Sequence, residues 1–450
     1  MSTARTVPPD VIHEILSYVA PPLTLTGTDS GYDRETYNTP WELALISRMW
    51  RQCALGSRNL WTCLTLDSAE VDFPYYSDSI LDRLECQLER SGKKKLNVGL
   101  SGSEPFKALR VSPALLASCD RWDTLALRVD SNTSFDDLAL ADGKFAALRR
   151  LEFVCDGDEL ESTPDEFSNA PSLREVILTD EDFEFPSFNL DLSWEQITHL
   201  RGFFDSHQSF LDIVEEAVNL VDLALHIDPN APAFATTVPL PLAQLRRLYV
   251  HSSKCLSSFT APALHELTCT TAAPLTLRSF CVRSAILSSL RSLVLVNFDG
   301  PPDQLWMILI EFTALTDLAV DSASWPVRPV PGVWTPLSVE NCLFHGLAAA
   351  PSIKVCCPNL ESFVYRCVVL DTEDDLDVFF NMVRSRSHTH SPPDDYPWRR
   401  LCHVRLHWRF GLHTLTSASE DNIRDIKSEG VDLELIPPVS ADDFKKSLRQ

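Results

Sequence analysis

The sequence of 450 residues predicts an α/β solenoid, a fold in which one short structural unit repeats and stacks on its neighbours. Three observations predict it. An apolar-x-x-apolar-x-apolar pattern recurs along most of the chain, the recurrence has a nearly regular period, and segments with helical apolar spacing separate several copies. A single such unit cannot bury its own apolar face, so neighbouring units must stack to form a continuous core.

Copies of the pattern begin at residues that run from Trp122 to Leu360, and their mean spacing is about 24 residues. This period lies within the range of leucine-rich repeats, which is about 20 to 29 residues. The clearest copies are Leu148/Leu151/Phe153, Leu173/Val176/Leu178, Leu220/Leu223/Leu225, Leu245/Leu248/Val250, Leu264/Leu267/Cys269, Leu290/Leu293/Leu295, Leu315/Leu318/Val320, Leu360/Phe363/Tyr365 and Leu401/Val404/Leu406. Weaker copies are Trp122/Leu125/Leu127, Leu200/Phe203 and Trp334/Leu337/Val339.

The last two apolar residues of each copy are two positions apart, so both point inward from one short strand. Phe210–Leu220 and Asp303–Leu315 have helical spacing and predict helices between strands. We therefore expect residues 67–450 to form a right-handed leucine-rich-repeat solenoid, or horseshoe, with a parallel concave sheet. An ordinary α/β domain with crossover helices is the alternative, and it would need longer and less regular spacing. The predicted strand centres are residues 126, 152, 177, 224, 249, 268, 294, 319, 364 and 405.

Residues 7–66 differ from the repeats. Pro8-Pro9-Asp10 predicts the start of a helix, because proline and aspartate both suit a first turn. A polar segment, residues 21–40, follows this helix as a surface loop, and residues 41–55 predict one or two further short helices. Leu60–Leu66 predicts the first strand of the solenoid. Residues 1–6 form a tail, and a second surface loop is expected at residues 385–397.

These N-terminal residues resemble an F-box. The segments that carry the resemblance are Val7–Leu16, Leu43–Ala54 and Leu60-Trp61. The chain departs from the family pattern at Val7, where leucine is usual, at Ile46-Ser47, where Val-Cys is usual, and at Ser57-Arg58-Asn59, where Ser-Thr-Pro is usual. The downstream sequence resembles F-box proteins that are expanded in mushroom-forming fungi. The segments that carry this second resemblance are Gln87–Gly92, Leu96–Leu100, Cys119–Leu127 and Ile423–Leu435.

The resemblance implies a short three-helix F-box and a non-catalytic adaptor of a ubiquitin ligase. Its F-box would bind a Skp-type linker protein, and through it a cullin, while the solenoid would hold an unknown protein substrate. The residues expected to contact the linker are Pro8, Val11, Ile12, Ile15, Leu16, Val19, Leu43, Ile46 and Trp50. The alternative is a leucine-rich-repeat scaffold in which these helices only cap the solenoid, since solenoids need caps. An enzyme with an unrecognised site is a third, weaker interpretation.

Composition excludes several other classes of function. The formal net charge of −24 argues against a protein that grips phosphate backbones, and Lys93-Lys94-Lys95 is too short a run for a nucleic-acid patch. The absence of a long apolar run and of a signal peptide predicts an intracellular protein with no membrane contact. Neither a CxxC pair nor a glycine-rich phosphate loop occurs, so no cofactor is expected.

Two groups of residues resemble metal-binding sites only weakly, and their sequence context predicts loops, strands or helices instead. His388, His390, Cys402, His403 and His407 could be drawn as metal ligands, but the first two lie in a proline-broken segment and the last two in a strand. The acidic run Asp371–Asp377 lacks the spacing of a calcium loop and predicts the start of a helix at Leu376–Val383. The outward side chains of the strands are the expected partner surface, and their charges are nearly balanced.

Overall fold

The computed structural model places the chain in two compact units, Met1–Leu220 and Val221–Gln450. The residues that the structure describes are 7–19, 39–67, 77–102, 104–130, 133–156, 164–180, 190–204, 206–227, 239–298, 302–321, 343–348, 355–367, 373–387, 398–408 and 417–436. The weak repeat copy at Trp334 and the residues His388 and His390 lie outside these ranges.

The first unit begins with three short helices and continues as a parallel sheet. Its α-helices are α1 (Pro9–Val19), α2 (Thr39–Ile46), α3 (Arg48–Gly56), α4 (Ser77–Ser91), α5 (Lys107–Val111), α6 (Pro113–Ala117) and α7 (His207–Glu216). Its strands are β1 (Cys63–Asp67), β2 (Leu96–Ser101), β3 (Trp122–Asp130), β4 (Arg150–Asp156), β5 (Glu175–Asp180) and β6 (His199–Phe204). Each strand pairs in parallel with the next one in the sequence.

Short 3₁₀ turns precede several of the strands. They are Arg58–Trp61, Cys119–Arg121, Asp136–Ala141, Glu166–Asn169 and Trp194–Gln196 in the first unit, and Ser253–Ser258 in the second. A 3₁₀ turn rises faster per residue than an α-helix, so it returns the chain to the next strand with fewer residues.

The second unit has the same arrangement. Its strands are β7 (Asp222–Ile227), β8 (Leu240–Pro241), β9 (Arg247–Ser252), β10 (Phe259–Thr260), β11 (Glu266–Thr271), β12 (Ser292–Val296), β13 (Asp317–Asp321), β14 (Ser362–Cys367), β15 (His403–Trp408) and β16 (Asp432–Ile436). The short strands β8 and β10 pair with each other, and the remaining eight form a parallel series in sequence order. The helices are α8 (Pro274–Arg283), α9 (Pro302–Leu309), α10 (343–347), α11 (Glu373–Ser385) and α12 (Ser417–Ser428).

The parallel strand series confirms the predicted α/β architecture within each unit. All ten predicted strand centres fall inside observed strands. The in-register partners are the repeated apolar residues themselves, such as Leu151 with Val176 and Leu293 with Leu318, and these side chains are fully buried. The right-handed, horseshoe curvature of the whole chain stays a prediction.

Two predicted boundaries differ from the structure. The polar segment 21–40 ends earlier than predicted, because α2 already begins at Thr39, and residues 20–38 lie outside the described ranges. The surface loop predicted at 385–397 begins with buried residues, since Arg386 is 0% and Ser387 3% exposed. The guanidinium of Arg386 donates to the main-chain carbonyl oxygens of Leu347 and Cys357, which fixes this part of the segment in the core.

The outward face of the sheet is also more buried than strand alternation predicts. Glu152, Asp321, Arg366 and His407 all occupy outward positions, yet each is less than 9% exposed. Arg366 Nη1 lies 2.7 Å from Asp321 Oδ2 on the neighbouring strand. A paired charge can be buried where an isolated one cannot, because its partner replaces part of the lost hydration. The alternation of side chains along a strand therefore predicts which face of the sheet these residues occupy, but it does not predict how exposed they are.

Candidate functional site on the N-terminal helices

The three N-terminal helices have local sequences that explain their starts and ends. Asp10 lies in the first turn of α1, where a carboxylate interacts favourably with the helix dipole. Ser47 caps α3, because its side-chain oxygen accepts a hydrogen bond of 3.3 Å from the backbone N–H of Trp50. α3 ends at Gly56, and the chain then enters the 3₁₀ turn that leads into β1.

One face of these helices forms a small core. Ile12 and Leu16, four residues apart on α1, are each 1% exposed. The other buried members of this core are Ala44, Cys53, Ala54, Leu60 and Trp61, and Trp41, Leu43, Met49 and Trp50 pack against it partly buried. Ile12 and Leu16 are also among the residues predicted to contact a linker protein, and in this chain on its own they pack in the core.

A different face of α1, together with Val7 just before the helix, is exposed and apolar. Val7, Val11, Ile15 and Tyr18, which we call the apolar stripe, are 41%, 43%, 37% and 82% exposed. Spacings of three and four residues place Val11, Ile15 and Tyr18 along one side of the helix. On α2, Leu45 and Ile46 are also exposed, by 73% and 58%.

The structure divides the nine predicted linker-contact residues into separate groups. Pro8, Val11, Ile15 and Ile46 are exposed, Ile12 and Leu16 are buried, and Leu43 and Trp50 lie between. α1 ends at Val19, and its side chain is outside the described part of the chain. Sequence reasoning missed Tyr18 and Leu45, although the helical spacing from Val11 and Ile15 to Tyr18 was a signal that could have identified it.

Several polar contacts fix the helices to the first repeat. The indole N–H of Trp61 donates to the carbonyl oxygen of Ala54 over 2.8 Å, which ties α3 to the turn before β1. Trp61 meets Trp41 edge to face, with ring centroids 5.0 Å apart. Gln87 of α4 donates to the carbonyl oxygen of Cys63 over 2.6 Å. The N-terminal helices and α4 therefore form one continuous packed structure within the first unit.

The exposed members of the apolar stripe are aliphatic, apart from Tyr18, which carries a phenol group. Burial raises the pKa of the nearby Cys63 thiol to about 11, so this thiol is protonated and unreactive near neutral pH.

Two further properties concern all of the described residues. Among these residues no group of three or more His, Cys, Asp or Glu side chains is placed to hold a metal ion. The described helices include none with the length and apolar character needed to cross a membrane.

No protein-family model matches the sequence, and no curated protein matches it. Solved structures that resemble it include a leucine-rich-repeat protein of Leptospira interrogans, with a TM-score of 0.36, 13% identity, and coverage of 78% of this chain and 92% of that one. A Bacteroides fragilis protein has a TM-score of 0.32, 12% identity, and coverage of 70% and 74%. Both TM-scores are below 0.5, so these likenesses add nothing to the strand order and register described above.

Proposed function

We propose that the chain is a non-catalytic adaptor whose N-terminal helices dock on a Skp-type linker protein and whose repeats hold a second protein. The cullin of a ubiquitin ligase would then be recruited through the linker. The observation that carries the proposal is the apolar stripe, which leaves large aliphatic and aromatic side chains in water on one side of α1. Contiguous exposed apolar residues of this kind mark protein interfaces.

The exposure of the stripe is not a by-product of capping. The capping contacts use Ile12, Leu16 and Trp61, which point into the core and are almost completely buried. Val11, Ile15 and Tyr18 contribute nothing comparable to that core, so a helix that served only as a cap could carry polar residues at these positions. Helical spacing of the exposed residues suits a groove-binding mode, in which one apolar helix face enters a partner's groove. The F-box resemblance of the same segment supports the linker as that partner.

The repeats supply a surface for the second protein. Outward positions of β7, β9, β11 and β12 are uncharged and half-buried at Ala224, Tyr249, Thr268 and Val294. Tyr249 donates or accepts a hydrogen bond of 3.1 Å with the hydroxyl of Thr270. A large aromatic side chain beside smaller ones makes an uneven surface, and anchoring side chains at protein interfaces pack on surfaces of this kind. This surface is the proposed substrate-holding face within the second unit.

A scaffold that binds proteins without a linker is the second candidate function. The contacts among Arg90, Trp41 and Trp61 favour it, because they fix the N-terminal helices to the first repeat as a cap requires. The two candidates share the repeats as a protein-binding surface. They differ in whether the apolar stripe has a partner of its own.

The deciding experiment measures binding of the full chain to purified Skp-type linker by calorimetry. The variant Val11→Ser/Ile15→Ser/Tyr18→Ser replaces the three stripe residues that lie on α1 and leaves Ile12 and Leu16 of the core unchanged. An anchor residue at an interface is typically worth about 2 kcal/mol, so the triple variant should bind at least about thirtyfold more weakly. A matched control is Leu275→Ser/Val282→Ser/Met307→Ser, whose side chains are 77%, 52% and 59% exposed on α8 and α9.

Binding that survives in the control and is lost in the stripe variant, with unchanged circular dichroism, would support the adaptor. If the unmodified chain does not bind the linker, the N-terminal helices serve only as a cap on the repeats. Equal losses in both triple variants would show that the stripe is not the contact surface.

A further inference from the structure

A row of basic side chains lines the edge of the first unit at which strands β1 to β5 begin. We call it the basic edge, and its members are Arg58, Lys93, Lys94, Lys95, Arg121, Arg149 and Arg174. Each belongs to the turn that leads into a strand. The tripeptide Lys93-Lys94-Lys95 looked insufficient as an isolated run, and the fold adds four arginines from other parts of the sequence to it.

Main-chain hydrogen bonds determine this alignment. Arg149 N donates to the carbonyl of Asp123 over 2.8 Å, and Arg174 N donates to the carbonyl of Arg149 over 2.9 Å. The start of β3 is linked to the start of β2 by a contact between the Lys95 ammonium and the Asp123 carboxylate. The parallel register therefore sets these residues beside one another, strand after strand.

The turn at Gly92 joins the remaining arginines to the row. The guanidinium of Arg121 donates to the carbonyl oxygen of Gly92 and, over 3.3 Å, to Ser91 Oγ. Gly92 has a φ of +61°, and a Cβ built there would lie 3.3 Å from Arg58 Nη1. Arg58 therefore lies directly beside the turn that carries Lys93 and Lys94.

The basic edge carries a local excess of positive charge in an acidic chain. The turns that hold its seven cations contain two carboxylates, Asp120 and Asp123, and the last turn of α4 adds Glu89. Asp123 is shared, because Arg149 Nε also lies 3.7 Å from its carboxylate. The side chains of Arg58, Lys93 and Lys94 are exposed and have no carboxylate partner within the described ranges.

The arginines that are engaged keep their charge. Nη1 of Arg174 donates to the carbonyls of Pro171 and Leu173 over 3.0 and 2.6 Å, and Arg121 also donates to a carbonyl and a hydroxyl. Carbonyl and hydroxyl oxygens orient a guanidinium without neutralising it. An excess of about four positive charges therefore remains on this edge, while the whole chain has a formal net charge of −24.

The dimensions and composition of the basic edge favour an extended acidic peptide. Adjacent strands lie about 4.8 Å apart, so the row from β1 to β5 is about 19 Å long and matches roughly six residues of extended chain. The tryptophans next to it in the sequence, Trp61 and Trp122, are fully buried, so neither ring offers a stacking surface to the bases of a single-stranded nucleic acid.

We propose that the basic edge docks an acidic segment of a partner protein, with carboxylates contacting Arg58, Lys93, Lys94 and Arg149. The proposal stands independently of linker binding, because the basic edge and the apolar stripe use different residues. Docking by exposed charges acts mainly on the association rate and weakens as salt screens it. The contact is therefore a salt-sensitive one that selects acidic partners over neutral ones.

The test is a fluorescence-anisotropy titration of the full chain with a fluorescein-labelled peptide of ten glutamates, at about 20 and 150 mM salt, which correspond to long and short screening lengths. The variant Arg58→Glu/Lys93→Glu/Lys94→Glu reverses the three unpartnered cations. It should weaken binding at low salt at least about tenfold, since exposed ion pairs are individually weak but add up. The matched control is Arg246→Glu/Arg291→Glu/Lys427→Glu, an equal change of net charge at exposed positions of the second unit.

Tight binding by the unmodified chain and by the control, together with loss in the edge variant and at high salt, would support the proposal. Equal weakening in both variants would overturn it, because net charge alone would then explain the binding. Absence of binding at low salt would also overturn it. If a ten-nucleotide single-stranded RNA, or anionic vesicles with roughly 30% phosphatidylserine, bind more strongly than the glutamate peptide, the basic edge is a site for that polyanion instead.

Discussion

The guanidinium of Arg90 lies over the indole ring of Trp61, with Cζ 4.4 Å from the ring centroid. The same guanidinium is 4.5 Å from the ring centroid of Trp41, so it is held by two aromatic rings. Its Nη1 atom is buried and makes no hydrogen bond to the described residues. The two aromatic rings therefore offset part of the free-energy cost of burying this cation, and the contact links α4 to the N-terminal helices.

Replacing Arg90 by methionine should destabilise the packing of these helices by about 1 to 2 kcal/mol. Methionine keeps the apolar stem but loses the cation, and a desolvated cation–π contact is worth about this much. Tryptophan fluorescence during urea unfolding measures the effect. Arg83→Met is the control, because Arg83 is exposed and its Cζ is 5.3 Å from the Trp41 centroid. Equal shifts in the two variants would contradict a special role for Arg90.

Leu16→Ala and Ile15→Ala should differ sharply although they change adjacent residues of one helix. Leu16 is 1% exposed, and truncating a buried leucine costs about 2 to 5 kcal/mol. Ile15 is 37% exposed, so its truncation should cost about 1 kcal/mol or less. Thermal unfolding of the full chain measures both changes. Similar losses of stability would show that Ile15 belongs to the core and would remove it from the apolar stripe.

Arg386→Leu should destabilise the second unit by about 2 kcal/mol or more, since buried carbonyl groups lose their donor. The Arg386 guanidinium donates to the carbonyl oxygens of Leu347 over 2.6 Å and Cys357 over 3.1 Å, and also to that of Cys356. The control is Arg384→Leu, two residues earlier, where the side chain is 34% exposed and close to Asp425. Denaturant unfolding should show a small change for Arg384→Leu and a large one for Arg386→Leu. The reverse order would contradict the assignment.

Mild acid should destabilise the second unit through His407. Burial, and then the nearby cations of Arg366 and Arg405, lower the pKa of His407 below its usual 6.5, against a smaller opposing effect of Glu434. The unfolded chain therefore takes up a proton near pH 6.5 that the folded chain does not. Stability is fully present above that pH and falls as the pH decreases towards the folded pKa.

The loss that this imidazole causes at pH 5.5 is at most about 1.4 kcal/mol. Urea unfolding at pH 7.5 and 5.5, on the unmodified chain and on His407→Asn, measures it. The asparagine variant should show the smaller decrease between the two pH values, because it lacks the titrating group. A decrease of the same size in both proteins would show that other groups cause the pH dependence.

The repeat pattern predicted the positions of ten of the described strands. Every predicted strand centre coincides with an observed strand, because only residues two apart on a strand can bury both Leu151 and Phe153 in one core. Helix ends were less predictable. The helix predicted at Asp303–Leu315 is observed at Pro302–Leu309, since the apolar spacing continues into residues that pack as a turn.

The exposure of individual side chains was decided by tertiary structure. Helical spacing predicts one wide apolar face on α1, but whether Ile12 or Ile15 points into the core depends on where α3 and Trp61 pack. The sequence predicts Arg386 to lie in a polar loop, whereas the structure buries it where the main-chain carbonyls of Leu347 and Cys357, distant in the sequence, accept its hydrogen bonds. The pattern of apolar residues in the sequence determines the repeat period of the fold. Stacking of separate repeats decides which side chains are buried, and it alone brings Arg58, Lys93 and Arg149 to one edge.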